Sequence, residues 1–503
     1  MLTKTSIRLF VFACFLAGLF VSFRVANIER ESMRFDKYDY AFYLQFATKL
    51  FDGRIEKVYS VNPGGENCLF LGGIEGTDSF HQTIHFEPIK YLYAVLYFFF
   101  GTPKILFLFI SLVFFFPSLY AAFAIPMPTE QRMYMVLFIS VLYILYPAAV
   151  FVPSYDLRPY IFLAPFFLLS FLSITFARPS WEIVLWFNVL FLAREEAIIL
   201  AAVLLIYAFV HFRGGKPRLI AALCVSWLFW LGVILLFMYW CGYPIKVVSP
   251  PGKFHTLKTA LFLAAAILVC MMGIAAMLCR RWLRAKLSSQ KALEIVSFST
   301  IFLPLAYMFG KKEISGIISP TLNWLESLLF SPRYFLYFVA LLCLNIIFWQ
   351  NAQRKVHEKT RIALFFVIGL LFFSIHIVSS HGVFQSLTRD EKERESTEKI
   401  WKIRDITDKY ASTILADQYV YQAFADYRYI YVYDALPWHI VQGEGRSYPA
   451  NRAIVQNFVD ERIDYIVGNV SNYDLMKGFL AHKNLVGIDL FKDRHFFAVQ
   501  IKR

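Results

Sequence analysis

Charge is scarce in this chain of 503 residues. Asp, Glu, Lys and Arg supply 17% of it, against about 25% in soluble globular domains. Intrinsic disorder is excluded, because it needs high charge and few apolar residues. Gly (23) and Pro (20) are too few for a collagen-like or low-complexity chain. Seven Cys make no disulfide scaffold at this length. Only Cys68 lies in a clearly polar stretch, and a Cys68–Cys241 bridge is one open pairing. The C-terminal region lacks G-x-G-x-x-G, and Gly443-Glu-Gly445 is no phosphate cradle, so no nucleotide site is predicted.

Apolar and aromatic residues take the place of charge. The set AVILMFWYC makes up 58% of the chain, with 54 Phe and 29 Tyr. Apolar runs at 9–25, 104–125, 133–152, 159–176, 181–193, 197–212, 219–239, 257–278, 292–309, 334–349 and 362–379 predict about eleven membrane crossings. The fold class expected is an all-α polytopic membrane protein with a C-terminal soluble α/β domain. The first run lacks an A-x-A cleavage site and is followed by charged residues, which predicts an uncleaved helix with a cytoplasmic N-terminus. Residues 26–103 form a large first outer loop. Within it, 88–100 is apolar but reaches only about 20 Å as helix, short of the roughly 30 Å hydrocarbon core, so it predicts a helix lying at the interface.

The net charge is +14. Lys4, Arg8, Arg132, Arg178, Lys216, Arg218, Arg280, Arg284, Arg354 and Lys359 fall in alternate gaps between the runs. That alternation is the positive-inside pattern and not a basic patch, so it predicts membrane lipid, and no nucleic acid, as a partner. It places the protein in the cytoplasmic membrane as a multi-pass chain. The long first loop, residues 154–158 and 194–196, and the C-terminus then share the outer side.

Three regions follow: 1–380 in the membrane, a charged linker at 381–397 whose run Arg389–Glu395 is either a solvated helix or linker, and an extracytoplasmic α/β domain at 398–503. The last is predicted to hold helices at 398–410, 419–425, 451–462 and 474–482. Its strands are expected at 412–416, 429–433 and 465–470, ending in a hairpin of 486–491 with 496–501.

Four polar clusters stand at outer helix ends. Asp36 and Asp39, three apart, share one face of a helical turn and could take a proton from a hydroxyl or ligate a divalent cation; an ordinary solvated loop start is the alternative. His81, His85 and Glu87 precede Pro88; His at i and i+4 is metal-ligand spacing, but no H-E-x-x-H is present, and a polar loop entering the interfacial helix explains them equally. Asp156 and Arg158 either pair with each other and cap the helix starting at Pro159 or face a ligand. Arg194-Glu195-Glu196 interrupts an otherwise apolar region. Charge at the bilayer centre costs roughly 2.5–3.5 kcal/mol per residue on insertion scales, so these three cannot face lipid. They form either a tight hairpin or a polar cavity where Arg194 meets an anion.

This plan resembles the GT-C superfamily of integral-membrane glycosyltransferases. More closely it resembles the bacterial and archaeal membrane family called domain of unknown function 2079. That family's pieces Y-D-L-G-x-F-x-Q, H-F-x-P-I, F-D-F-H-P and K-E-D read here, in the same order, as Tyr38-Asp39-Tyr-Ala-Phe-Tyr-Leu-Gln45, His85-Phe-Glu87-Pro-Ile89, Tyr155-Asp156-Leu-Arg158-Pro159 and Arg194-Glu195-Glu196. The C-terminal Ser412-Thr-Ile-Leu-Ala-Asp and Asp464-Tyr-Ile-Val also match. Two departures stand out. Arg158 replaces a usual His, and Arg194 replaces a Lys with a planar fork better matched to phosphate.

The resemblance implies transfer of a sugar from a polyprenyl-phosphate donor to an acceptor in the cell envelope. The implied catalytic set is Asp39, Asp36 and Glu87. Gln45, His85, Asp156, Arg158, Arg194, Glu195 and Glu196 would bind substrate. A divalent cation (Mg or Mn) would sit on Asp39, Glu87 and Glu195. The alternative is a non-enzymatic transporter or envelope-assembly scaffold; a transporter would favour inverted repeats and charges at mid-membrane, and neither is found in the sequence.

Overall fold

The computed structural model describes residues 3–31, 39–51, 86–145, 157–212, 215–240, 339, 342, 343, 346, 391–407, 413–417, 420–424, 429–433, 464–482 and 484–502. Among these, α1 is Lys4–Glu31, α2 Asp39–Lys49, α3 Lys90–Phe100, α4 Lys104–Ala124 and α5 Glu130–Leu145. A 3₁₀ turn at Pro159–Phe162 leads into α6 (Leu163–Thr175), followed by α7 (Ser180–Leu190), α8 (Ala197–Phe212) and α9 (Pro217–Trp240). Three of these, α1, α4 and residues Pro217–Phe237 of α9, are long and apolar enough to cross a membrane; α3 and α5 to α8 are shorter apolar helices. The predicted runs from 257 to 379 lie outside the described residues, apart from four helical positions.

Phe, Ile and Leu fill the core because packing here must come from shape. Gly18 lets α1 approach α4 and α5: a Cβ there would meet Ile144 Cγ2 at 3.2 Å and Phe115 Cε1 at 3.3 Å. Arg8, Arg132 and Arg178 lie at one end of the bundle. Arg8 Nε donates to the Ala122 carbonyl (3.3 Å), joining the start of α1 to the end of α4. Arg132 lies over the Phe176 ring. The Tyr120 hydroxyl donates to Glu182, whose two oxygens also accept from Arg178 Nε at 3.2 and 3.1 Å. Buried Glu182 is thereby paired on both oxygens, as a buried carboxylate requires.

At the other end α7 stops at Leu190, three residues before the predicted limit. The amides of Phe191, Leu192 and Ala193 each bond a carbonyl three residues back, tightening the last turn. Next, α9 seals this corner. Trp227 Nε1 donates to the Ile198 carbonyl (2.9 Å), Trp230 Nε1 to Asn188 Oδ1 (2.8 Å), and Phe191 stacks on Trp230. From Trp230, α9 climbs ten more residues, about 15 Å. The 191–196 connection is therefore recessed below the end of α9.

The C-terminal domain starts with α10 (Glu391–Ile406). It takes in 391–397 of the predicted linker, because that Glu/Lys/Arg run is made of strong helix formers. Strands β1 (Thr413–Asp417), β2 (Tyr429–Tyr433), β3 (Tyr465–Asn469), β4 (Val486–Lys492) and β5 (Phe496–Lys502) form one sheet in the order β2-β1-β3-β5-β4. β1 runs parallel to β2 and β3; β5 is antiparallel to β3 and β4. Helix α11 (Tyr473–His482) covers β4, where a Cβ on Gly487 would stand 2.6 Å from Leu480 Cδ1. The predicted helix at 419–425 is a single 3₁₀ turn, Tyr421–Phe424. The apolar core runs without a break from Tyr40 and Ile110 in the bundle to Ile403, Ile414 and Phe424.

Candidate active site

The recessed connection carries Arg194, Glu195 and Glu196, and their backbone carbonyls accept the amides of Ala197, Ile198 and Ile199 in the first turn of α8. Residues 86–89 dock onto it. The Ile89 amide donates to the Leu192 carbonyl (2.9 Å), and the Phe86 amide donates to Glu195 Oε2 (3.0 Å). Phe86 also packs against Trp230 and Phe237 of α9. Glu87 is thereby brought to the connection, and it is 4% exposed.

Arg194 is the centre. Its Nε lies 3.0 Å from Glu196 Oε2, 3.7 Å from Glu195 Oε1 and 3.8 Å from Glu87 Oε1. The Tyr43 hydroxyl donates to Glu87 Oε2 at 2.7 Å in a buried contact. Buried Lys90, whose ammonium lies over the Phe46 ring, adds a second cation. Burial pushes the Glu195 carboxyl up against the opposing pull of Arg194 and Lys90. Among the described residues, three carboxylates face one guanidinium and one ammonium in a place poor in water. Such a cluster persists only if its members stay paired.

The structure thus joins Glu87, Arg194, Glu195 and Glu196. Asp39 and Gln45 lie on α2, one at its first residue; their side chains are outside the described set. Asp39 precedes Tyr43 by four residues, which is one face of a helix. Arg158 stands just before the 3₁₀ turn, whose first residue is Pro159 as the sequence predicts. Asp36, His81, His85 and Asp156 lie outside the described residues, as do Cys68 and Cys241. Tyr43 is the residue that sequence reasoning missed.

Among the described residues, no group of three or more His, Cys, Asp or Glu could hold a metal ion. Glu87 Oε1 and Glu195 Oε1 lie 3.8 and 3.7 Å from Arg194 Nε; the side chain of Asp39, the third member of the expected cation set, lies outside the described residues.

Residues 30–261 match the family model described as "Predicted membrane protein (DUF2079)". Over those residues the chain is similar to that family. The matched region contains Asp39, Gln45, Glu87, Arg158 and the whole Arg194 cluster. No curated protein matches the chain. Among solved structures, ArnT from Cupriavidus metallidurans bound to undecaprenyl phosphate is similar over 98% of this chain and 97% of its own, with TM-score 0.46 and 12% identity. The same protein in the apo state gives 0.48 and 11% over the same shares.

Proposed function

We propose that this protein is an integral-membrane glycosyltransferase that moves a sugar from a polyprenyl-phosphate donor to an acceptor at the outer face of the membrane. The observation that carries the reading is the Tyr43–Glu87–Arg194 connection. It ties the helix that begins with Asp39 to the partly buried guanidinium of Arg194 at one end of the bundle. In this reading Asp39 takes the proton of the acceptor hydroxyl as its oxygen bonds to the anomeric carbon. The bond from that carbon to the lipid phosphate breaks, and the phosphate leaves with the electron pair. Arg194 neutralises the departing phosphate in a low-dielectric cleft. To do so the guanidinium exchanges one of its carboxylate partners for the phosphate. Glu87, fixed by Tyr43, keeps the guanidinium in place.

A second reading has its own observation. The 3.0 Å contact between Arg194 and Glu196 also suits an arginine that only neutralises its neighbours, as in a scaffold or transporter. Three variants separate the two. Asp39→Asn keeps the shape and removes the base, so turnover should fall by roughly 10²–10⁴ with the protein still folded. Arg194→Lys keeps the charge but loses the planar fork, so it should weaken undecaprenyl phosphate binding selectively. If Arg194→Lys is silent and Arg194→Ala lowers stability alone, the neutralising reading is correct.

A further inference from the structure

We propose that the C-terminal domain holds α2, and with it Asp39, in position through a joint at Trp401. The joint begins on α10. Trp401 Nε1 donates to the carbonyl of Glu31 (3.1 Å), the last residue of α1. Carbonyls at a helix C-terminus lack an intrahelical partner, so this bond satisfies one of them. The guanidinium of Arg30 lies over the Trp401 ring, 5.4 Å from its centre. Arg30 Nε in turn donates to the Tyr40 hydroxyl (3.1 Å). Tyr40 is fully buried and is the second residue of α2, directly after Asp39.

On the domain side, Arg404 stands one turn along α10, over the same ring at 5.5 Å. It donates to the carbonyl of Ala423 in the 3₁₀ turn that follows β1. That turn also packs directly on α2. Lys399, two residues before Trp401, pairs with Asp493 (3.1 Å) and ties α10 to the β4–β5 hairpin. One ring therefore links the sheet, the end of α1 and the first turn of α2. From the bundle side, Tyr43 holds the next turn of α2 to Glu87. The helix that carries Asp39 is fixed at both ends of a four-residue segment, by the bundle at Tyr43 and by the domain through Tyr40. An ordinary tethered domain would need no contact with α2. Here the domain is the outer half of that helix's support.

The consequence for catalysis rests on the glycosyl-transfer reading, in which Asp39 is the base. The test does not. Hydrogen–deuterium exchange is measured on the full chain in lipid nanodiscs, with no donor and no acceptor. In Trp401→Ala the amides of residues 39–49 should exchange roughly tenfold faster, since a cation–π contact and a hydrogen bond are lost together. Trp401→Phe keeps a ring for Arg30 and loses the Nε1–H donor, so its rise should be smaller. Arg30→Met removes the link between the Trp401 ring and Tyr40 while the bonds within the domain stay, and should raise α2 exchange as Trp401→Ala does. Trp401→Phe, which keeps the ring in place, decides the domain's share even if Trp401→Ala unfolds the domain. Lys477→Ala removes the ion pair to Asp489 (2.7 Å) on the far side of the domain, and should speed exchange in α11 and β4 only. The joint is refuted if Trp401→Phe or Arg30→Met leaves α2 exchange at the native rate, or if Lys477→Ala speeds it as much as Arg30→Met does. The glycosyl-transfer reading fails separately, through unchanged lipid-phosphate binding in the Arg194 variants.

Discussion

Glu87 depends on a neutral neighbour. Its Oε2 takes the Tyr43 hydroxyl at 2.7 Å while Oε1 looks toward Arg194. Tyr43→Phe would leave that oxygen buried without its donor, which costs about 1–3 kcal/mol. Thermal unfolding of the variant in detergent should show the loss, and a melting temperature equal to the native one would mean that water or another side chain already serves Glu87. The charged members of this cluster were legible in the sequence, because Arg194-Glu195-Glu196 in an apolar region is costly anywhere except a paired site. Glu87 was legible as a carboxylate at the mouth of an apolar helix. Tyr43 and Trp401 were not. Among 29 Tyr and 10 Trp in an aromatic-rich chain, a single hydroxyl or indole N–H carries no local signal; only the fold says which of them meets a charge.

Elements were read well where periodicity ends at a hard stop. The bounds of α8 and β2 are those predicted, the first between Glu196 and Arg213, the second between Arg428 and Asp434. The end of α7 was misread, because an apolar run does not reveal a tightened last turn; the charge run before residue 398 left helix and linker open, and from Glu391 it is helix. The β4–β5 hairpin carries a prediction of its own. Burial would push the Asp493 carboxyl up, but the amides of Phe496 and His495 and the ammonium of Lys399 outweigh it and hold the group below the usual range. A lowered folded value means that this stabilisation is whole above the unfolded value of about 4 and is lost as pH falls through the folded one. Local opening of residues 486–502, followed by exchange corrected for its intrinsic pH dependence, should therefore grow as pH drops below about 4. Asp493→Asn should flatten that response.

At the scale of the molecule, the alternation of basic gaps predicts a cytoplasmic N-terminus and an external C-terminal domain. Arg8, Arg132 and Arg178 lie together at one end of the bundle. Reporter fusions after Ser380 should read as exported; a cytoplasmic signal there would undo the shared outer face of Asp39, Arg194 and the domain. The Trp401–Glu31 bond also has a consequence in time. Its partners lie 370 residues apart in the chain. At about 5–20 residues per second, synthesis separates them by roughly 20–70 s. The first two helices are thus made early and completed late. Through that interval the nascent chain carries α2 without its outer brace, so a ribosome stalled before residue 391 would leave a membrane bundle whose opening segment is still waiting for its last partner.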